Sequence, residues 1–144
     1  MPSAIFKKRT FDFGIRCVRM VETLPKTLVA QVIGKQLLRA GTSVAANYRS
    51  AVRGRSRADF IARMGIVEEE CDEAIHWIEV LCALNLVSEE RTQDLRAEGN
   101  EILAIAVSSI KTARKNANAL KPEKGRLESN PAKPSFRNKS EPKI

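Results

Sequence analysis

Aromatic residues and long apolar runs are scarce in this sequence of 144 residues. Aromatic side chains make up 5% of it, and no window holds about 18 consecutive apolar residues, the length that a transmembrane helix needs. The first residues carry positive charge but are not followed by the apolar run of a signal peptide. We therefore expect a cytoplasmic protein with no membrane partner.

Cysteine is also scarce, and its spacing argues against a disulfide framework. The chain has Cys17, Cys71 and Cys82, an odd number with no Cys-x-x-Cys pair. Cys71 and Cys82 are about three helical turns apart, so they share a helix face without touching. We expect all three to be small buried hydrophobic residues in a reducing compartment.

A single histidine limits the chemistry that the chain can perform. Glu73-x-x-His76 has the spacing used by di-iron bundle proteins, but that site needs two such motifs and two further glutamates. A metal site shared between subunits is the remaining metal alternative. No Ser-His-Asp or Cys-His arrangement, glycine-rich nucleotide loop or Walker motif is found. We therefore expect neither enzyme activity nor a cofactor.

What the sequence does contain is a series of amphipathic helices. Good helix formers dominate the first 120 residues. A proline, a glycine and capping residues divide them, which predicts an all-α fold, an up-down-up-down four-helix bundle over 10–120. The predicted helices cover 10–23, 26–52, 56–84 and 88–120. In the first, Thr10 or Asp12 is the expected N-cap, and Phe11, Ile15 and Val18 form the expected core stripe.

The two ends of the chain differ from the predicted bundle. Residues 1–9 are expected to be a flexible, basic N-terminus. Residues 121–144 hold four of the six prolines and almost no aliphatic side chains, so they are expected to form a disordered basic tail. The net charge is +8, and the tail contributes half of it with seven Lys/Arg and three acidic residues.

One helix, over 28–53, carries three distinct faces. At 100° per residue, Lys35, Arg39, Arg49 and Arg53 lie within about 40° of one line, opposite an apolar face that runs from Val29 to Ala51. A polar seam lies between the two faces and consists of Gln36, Ser43 and Asn47.

The cationic line spans about 27 Å and continues round the turn into Arg55, Arg57 and Arg63. Such a row suits the phosphates of RNA or DNA without base readout, and no aromatic stacking platform accompanies it. The alternatives are a solvated face, or arginines paired with the acidic residues of the third helix. Membrane-surface binding is disfavoured because the apolar face is needed for the core.

The third helix has two apolar stripes. Its core stripe runs from Phe60 to Cys82, and a second set lies about 120° further round. We interpret this second set as a homo-oligomer interface with Trp77 as its anchor. The alternatives are packing of the first helix against it, or a wide core face. Its members are Ile66, Trp77, Val80 and Leu84.

Several of these segments resemble a known family. The segments Phe11-Asp-Phe13, Gln36-Leu-Leu-Arg39 with Ser43 to Arg49, Arg55-Ser-Arg57 with Phe60, and Glu69-x-x-Asp72-Glu73 with Trp77 are similar to the small bacterial 23S rRNA intervening-sequence proteins, or S23 proteins. The resemblance covers about residues 9–118. It extends to the accessory variability proteins of diversity-generating retroelements, which bind nucleic acid and a reverse transcriptase through a basic surface.

The resemblance implies a non-enzymatic four-helix bundle that often assembles as a ring-like homopentamer. It also implies that Gln36, Ser43 and Asn47 are buried or interfacial groups that fix helix register. It further implies that three acidic residues pair with Arg39, Arg49 or Arg57, within a subunit or across an interface. These acidic residues are Glu69, Asp72 and Glu73.

Two functional hypotheses follow. The first is a homo-oligomeric bundle that binds nucleic acid through phosphates, with the basic residues named above as its contacts. The second is a protein-interaction scaffold that recruits another protein, such as a reverse transcriptase, without binding nucleic acid.

Overall fold

A computed structural model describes residues 3–119, and in that range the chain consists of four α-helices without a strand. The helices are α1 (Ser3–Glu22), α2 (Leu28–Val52), α3 (Arg57–Ala83) and α4 (Glu89–Ala119). α1 and α3 each pack against both α2 and α4. The predicted up-down-up-down bundle is therefore confirmed. The tail over 121–144 lies outside the described residues.

Local capping signals explain why three of the four predicted helix starts were accurate. The hydroxyls of Thr27, Ser56 and Ser88 each accept a hydrogen bond from the backbone N–H three residues further on. Asn85, after α3, has a φ of 58° and supplies the left-handed turn that its type favours. These signals lie within a few residues of each boundary, so the sequence alone contains them.

The predicted flexible N-terminus is wrong for residues 3–9, because α1 already begins at Ser3. Phe6 is 3% exposed and packs edge-on against Tyr48, with ring centroids 4.6 Å apart. Arg9 pairs with two glutamates of α4, Glu98 and Glu101. These partners lie far away in sequence, and their contacts stabilise two turns of helix that have no local start signal.

The predicted core stripe of α1 is also wrong, since Phe11 is 58% and Ile15 42% exposed. The backbones of α1 and α2 come close instead: a Cβ on Gly14 would lie 3.1 Å from the carbonyl oxygen of Gly41. Small side chains must therefore face inward at this contact. Thr10 is not an N-cap but is buried, and its hydroxyl donates to a carbonyl of its own helix. The buried side consists of Phe6, Thr10, Phe13, Gly14 and Cys17.

The core between the helices consists largely of the predicted aliphatic stripes. Val29 is an exception at 53% exposure, and Phe60 is only partly buried. The largest fully buried side chains of α2 to α4 include Leu37, Val44, Met64, Ile78, Leu81 and Ile102.

The three cysteines are free and buried, as predicted. Burial raises the pKa of Cys17 and of Cys71 to about 12. The Cys71 thiol donates to the carbonyl of Gly99 at 3.2 Å. None of the helices over residues 3–119 combines the length and the apolarity needed to cross a bilayer.

Candidate functional site

An ion-pair cluster interrupts the predicted cationic line on α2. The guanidinium of Arg39 donates to Glu70 Oε2 at 3.1 Å through Nη1 and to Glu73 through Nη2. The indole N–H of Trp77 donates to the same Glu73 oxygen at 3.2 Å. The Arg39 bond, and then the Trp77 bond, lower the pKa of Glu73, while the Glu73 bond raises the pKa of Arg39. The charge of Arg39 is thereby offset within the subunit.

The acidic partners only partly match those implied by the resemblance. Glu73 pairs with Arg39, and so does Glu70, which the sequence did not single out. Glu69 and Asp72 are exposed and form no ion pair within residues 3–119. They lie on the outward side of α3, where a residue of another molecule could reach them.

Of the other predicted basic residues, Arg63 is half-buried and pairs with Asp59, and the rest are exposed and form no ion pair in the part of the chain that the structure describes. Lys35 lies one helical turn before Arg39 on α2, whereas the other predicted basic residues follow Arg39 in the chain. Four residues lie together around the α2–α3 turn, namely Arg49, Arg53, Arg55 and Arg57. The predicted 27 Å row is therefore a cluster at one end of α2 plus a separate lysine.

This cluster belongs to a larger cationic surface that all four helices form. At this end of the bundle α1 begins, α2 ends, α3 begins and α4 ends. We call residues 3–9, 47–63 and 104–119 the basic end. It carries eleven Lys/Arg and a single acidic residue, whereas the remainder of residues 3–119 carries seven Lys/Arg and thirteen acidic residues. The charges are thus segregated along the bundle axis.

Three of the eleven cations are already paired. Lys8 pairs with Asp12 at 2.7 Å, Arg9 with two glutamates of α4, and Arg63 with Asp59 at 3.1 Å. The other eight form no ion pair among the described residues. They are Lys7, Arg49, Arg53, Arg55, Arg57, Lys111, Arg114 and Lys115.

Sequence reasoning missed the contributions of α1 and α4 to this surface. Lys7, Lys111, Arg114 and Lys115 are not on the α2 line, so a single-helix analysis assigns them no role. The signal that could have found them is the antiparallel order of the helices. That order brings the last third of α4 to the same end as the α2–α3 turn.

A groove of about 900 Å³ opens at the basic end between all four helices. Phe6 and Tyr48 form its floor, and the Tyr48 hydroxyl donates to the backbone carbonyl of Ser3 at 3.4 Å. Burial raises the pKa of Tyr48. Phe60 and Ile105 line the groove from α3 and α4. Its lining also includes Arg57, which belongs to the cationic cluster.

The polar seam on α2 bonds to its own helix. Ser43 Oγ donates to the carbonyl of Arg39 at 2.7 Å, and Asn47 Nδ2 donates to the carbonyl of Ser43 at 2.8 Å. Gln36, like these two, is half-buried. In the described chain these side-chain hydrogen bonds of Ser43 and Asn47 therefore stay within α2 and do not link it to another helix.

The second apolar stripe of α3 is extended by residues of α2. Val80 lies two turns from Glu73, and Val32 lies two turns from Arg39, so the antiparallel pairing of these helices sets Val32 beside Val80. Leu28 is 77% exposed and Leu84 47%. We call this surface the apolar face, consisting of Leu28, Val29, Val32, Trp77, Val80 and Leu84. Ile66, 40% exposed, lies on the same side of α3 beyond the ion-pair cluster.

His76 lies on the exposed side of α3 with its ring edge-on to Trp77, at a centroid distance of 4.8 Å. Among the described residues, no group of three or more His, Cys, Asp or Glu side chains is placed to hold a metal ion.

A family model and a solved structure both match this four-helix architecture. Residues 3–108 match the model of the family "23S rRNA-intervening sequence protein". A crystal structure of a protein with unknown function from the S23 ribosomal protein family of Bacteroides thetaiotaomicron superposes with a TM-score of 0.72. It is 32% identical, over 77% of this chain and 99% of that chain. No match was found among curated proteins.

Proposed function

Because the chain belongs to the family of 23S rRNA-intervening sequence proteins, we propose that it is a non-catalytic, homo-oligomeric bundle that binds RNA or DNA through phosphates at its basic end. The single observation that carries this proposal is the set of eight cations there without an ion-pair partner among the described residues. Arginine and lysine side chains that have no carboxylate partner can displace counterions from a phosphate backbone.

The geometry of the basic end supports backbone contact rather than base-edge readout in a duplex groove. Its cations come from four helix ends and a turn, so no single helix presents a continuous row of side chains to a major groove. A surface of this kind positions a strand through its phosphates.

The proposal of a non-catalytic protein is supported by the state of the nucleophilic groups. Cys17 and Cys71 are buried with pKa values of about 12, so their thiolates are not formed near neutral pH. The cations of the basic end can bind charge, and the carboxylates that reach them in the described part of the chain are all in ion pairs, namely Asp12, Asp59, Glu98 and Glu101.

Self-association is the second part of the proposal, with another copy of this chain as the occupant of the apolar face. That face combines exposed aliphatic side chains with the partly buried indole of Trp77, a residue type typical of interface anchors. Glu69 and Asp72 are exposed on α3 and form no ion pair among the described residues, so they are available to a cation of a neighbouring copy. Each added copy adds a basic end. We place the assembly in the cytoplasm, where its thiols stay reduced.

The nucleic-acid proposal is tested by reversing two charges. Arg49→Glu with Arg53→Glu should abolish the shift of a labelled RNA or DNA in a gel at low salt, because both side chains are exposed and unpaired within the described chain. In the unchanged protein, the affinity for duplex DNA should fall with salt concentration with a slope of about −0.9 per phosphate engaged.

The matched control carries the same change of charge at the other end of the bundle. Arg16→Glu with Lys26→Glu removes two exposed cations that also form no ion pair in the described structure. This variant should bind nucleic acid nearly as well as the unchanged protein. Equal binding by the two double variants would show that the basic end is not the contact surface.

The second candidate function is a scaffold that recruits another protein, and the exposed apolar face favours it. The two functions differ in their requirement for phosphate. A stable complex that survives nuclease treatment and high salt, and that depends on the apolar face instead of Arg49 and Arg53, would support the scaffold.

A further inference from the structure

We propose that the groove at the basic end receives unpaired bases of a single-stranded nucleic acid, while the surrounding cations hold its phosphates. This inference rests on the proposed function and adds to it a class of ligand, single strands in preference to duplexes. The site has two parts, an apolar groove that suits the bases of a nucleotide chain and a cationic rim that suits its phosphates.

The groove offers the apolar part. The rings of Phe6 and Tyr48 are 3% and 5% exposed and pack edge-to-face on each other, so they close the bottom of the groove. The partly buried side chains of Phe60 and Ile105 supply its accessible apolar surface. The volume of about 900 Å³ lies in the range of small-molecule sites and exceeds that of a single base. An accessible aromatic side chain such as Phe60 can contact the face of a base without regard to sequence.

The groove also offers polar groups that a base edge can use. Serine, threonine and asparagine side chains of α4 line one side of it, among them Ser108, Thr112 and Asn116. Hydroxyl and amide groups can both donate and accept hydrogen bonds, so they suit the mixed donors and acceptors of base edges.

The rim offers the cationic part. Arg57 lines the groove from α3, and Lys111 and Lys115 lie on α4 one position from groove residues. Arg53 follows Val52, which lines the groove from α2, and Arg53 and Arg55 both line a separate depression at the α2–α3 turn. A strand that places a base in the groove would therefore have its phosphates beside these cations.

Charge argues against the chain's own C-terminal segment as the occupant. Residues 121–144 carry seven Lys/Arg and three acidic residues, so their net charge has the same sign as the rim. A duplex is also disfavoured, because its bases are stacked and paired inside the helix and cannot enter the groove without the cost of opening it.

The test compares three ligands of one length by fluorescence anisotropy at low salt: a single-stranded oligonucleotide of mixed sequence, its duplex, and an abasic strand that keeps the phosphates. We expect the full chain to bind the single strand about tenfold more tightly than the abasic strand, and more tightly than the duplex. Filling the groove with Ser108→Leu and Thr112→Leu should remove this preference and leave the affinity for the duplex unchanged.

The matched control places the same two side chains outside the groove. Gln93→Leu with Ala97→Leu has the same i, i+4 spacing on exposed positions of α4 and should keep the preference. Circular dichroism of both variants establishes that the bundle is folded.

The outcomes separate this inference from the proposed function. If the three ligands bind equally and salt weakens all of them, the basic end binds phosphates but the groove receives no base, and the inference is overturned. If none binds even at low salt, the proposed function fails, and this inference fails with it. A preference for the single strand that groove filling leaves intact places the bases elsewhere and also overturns the inference.

Discussion

At the scale of single residues, neighbours distant in sequence decide what each side chain can do. Arg39 and Arg49 lie on the same line of α2, and no local pattern distinguishes them. Arg39 faces two glutamates of α3, whereas Arg49 is exposed and forms no ion pair within residues 3–119. Periodicity could predict that both are on the surface. It could not predict which is neutralised, because that depends on the register between α2 and α3.

Two glycines show the same dependence on neighbours and give a prediction. A Cβ added at Gly41 would lie 2.7 Å from the Cβ of buried Cys17, while one at Gly65 would have no heavy atom within 4 Å. Overpacking costs about 1–3 kcal/mol, which exceeds the gain of about 0.5–1 kcal/mol from alanine in a helix. Gly41→Ala should therefore lower the free energy of unfolding in urea, and Gly65→Ala should raise it. Changes of the same sign would contradict this packing.

The Glu73 carboxylate predicts how the stability of the fold depends on pH. Its pKa is lowered below the ordinary value of 4.5, first by the bond from Arg39 and then by that from Trp77. A carboxylate whose pKa is lowered in the folded state contributes its full stabilisation when the pH is above the ordinary pKa of the unfolded state. This contribution is lost as the pH falls through the lowered pKa of the folded state. Glu73→Gln should therefore be less stable than the unchanged protein at pH 7. Their free energies of unfolding should converge as the pH falls below about 4.5.

The control for this pH dependence is Glu69→Gln, since Glu69 is exposed on the same helix without an ion pair in the described structure. Its difference from the unchanged protein should be small at every pH. A gap for Glu73→Gln that stayed constant down to pH 3 would show that the carboxylate charge contributes nothing.

At the scale of elements, the spans of α2, α3 and α4 could be predicted because each begins with a cap that acts within one turn. The first two turns of α1 could not. The charged run Lys7 to Arg9 indicates a solvated terminus when it is considered alone. Its helix is stabilised by contacts with Tyr48 and with α4, which are 42 or more positions away.

This account of α1 predicts the effect of truncating Phe6. Phe6→Ala should lower the free energy of unfolding by about 3 kcal/mol, because the ring is buried against Tyr48. The neighbouring Ile5 is 52% exposed, so Ile5→Ala should cost much less. The measurement is chemical denaturation followed by far-UV circular dichroism. Equal small effects would show that this segment is not packed.

At the scale of the whole molecule, the sequence shows which basic residues are present but not that they lie together at one end of the bundle. The Lys/Arg residues of α4 at the basic end and those of the α2–α3 turn are 54 to 66 positions apart. Antiparallel packing brings them to one end, and it also sets the N-terminal residues of α2 beside the second stripe of α3. Val29 therefore contributes to an exposed apolar face and not to the core to which its periodicity assigned it.

The apolar face predicts how the oligomer responds to a charge. Val32 is 49% exposed, so Val32→Asp should leave the fold intact and place a carboxylate within the proposed interface. The mass in solution, measured by sedimentation equilibrium, should fall towards that of a single chain. Ile15→Asp is the control, since Ile15 is 42% exposed on α1, away from this face. An unchanged mass for Val32→Asp, or an equal fall for both variants, would contradict the assignment of the interface.

The segregation of charge along the bundle axis has a consequence for how the molecule moves near other molecules. Cations collected at one end and carboxylates at the other give the described chain a permanent electric dipole moment along its length. In the field of a polyanion, this moment exerts a torque that turns the cationic tip forward during diffusion. Collisions would then arrive in a productive orientation more often than chance allows, and added salt would remove that advantage before it disrupted complexes already formed.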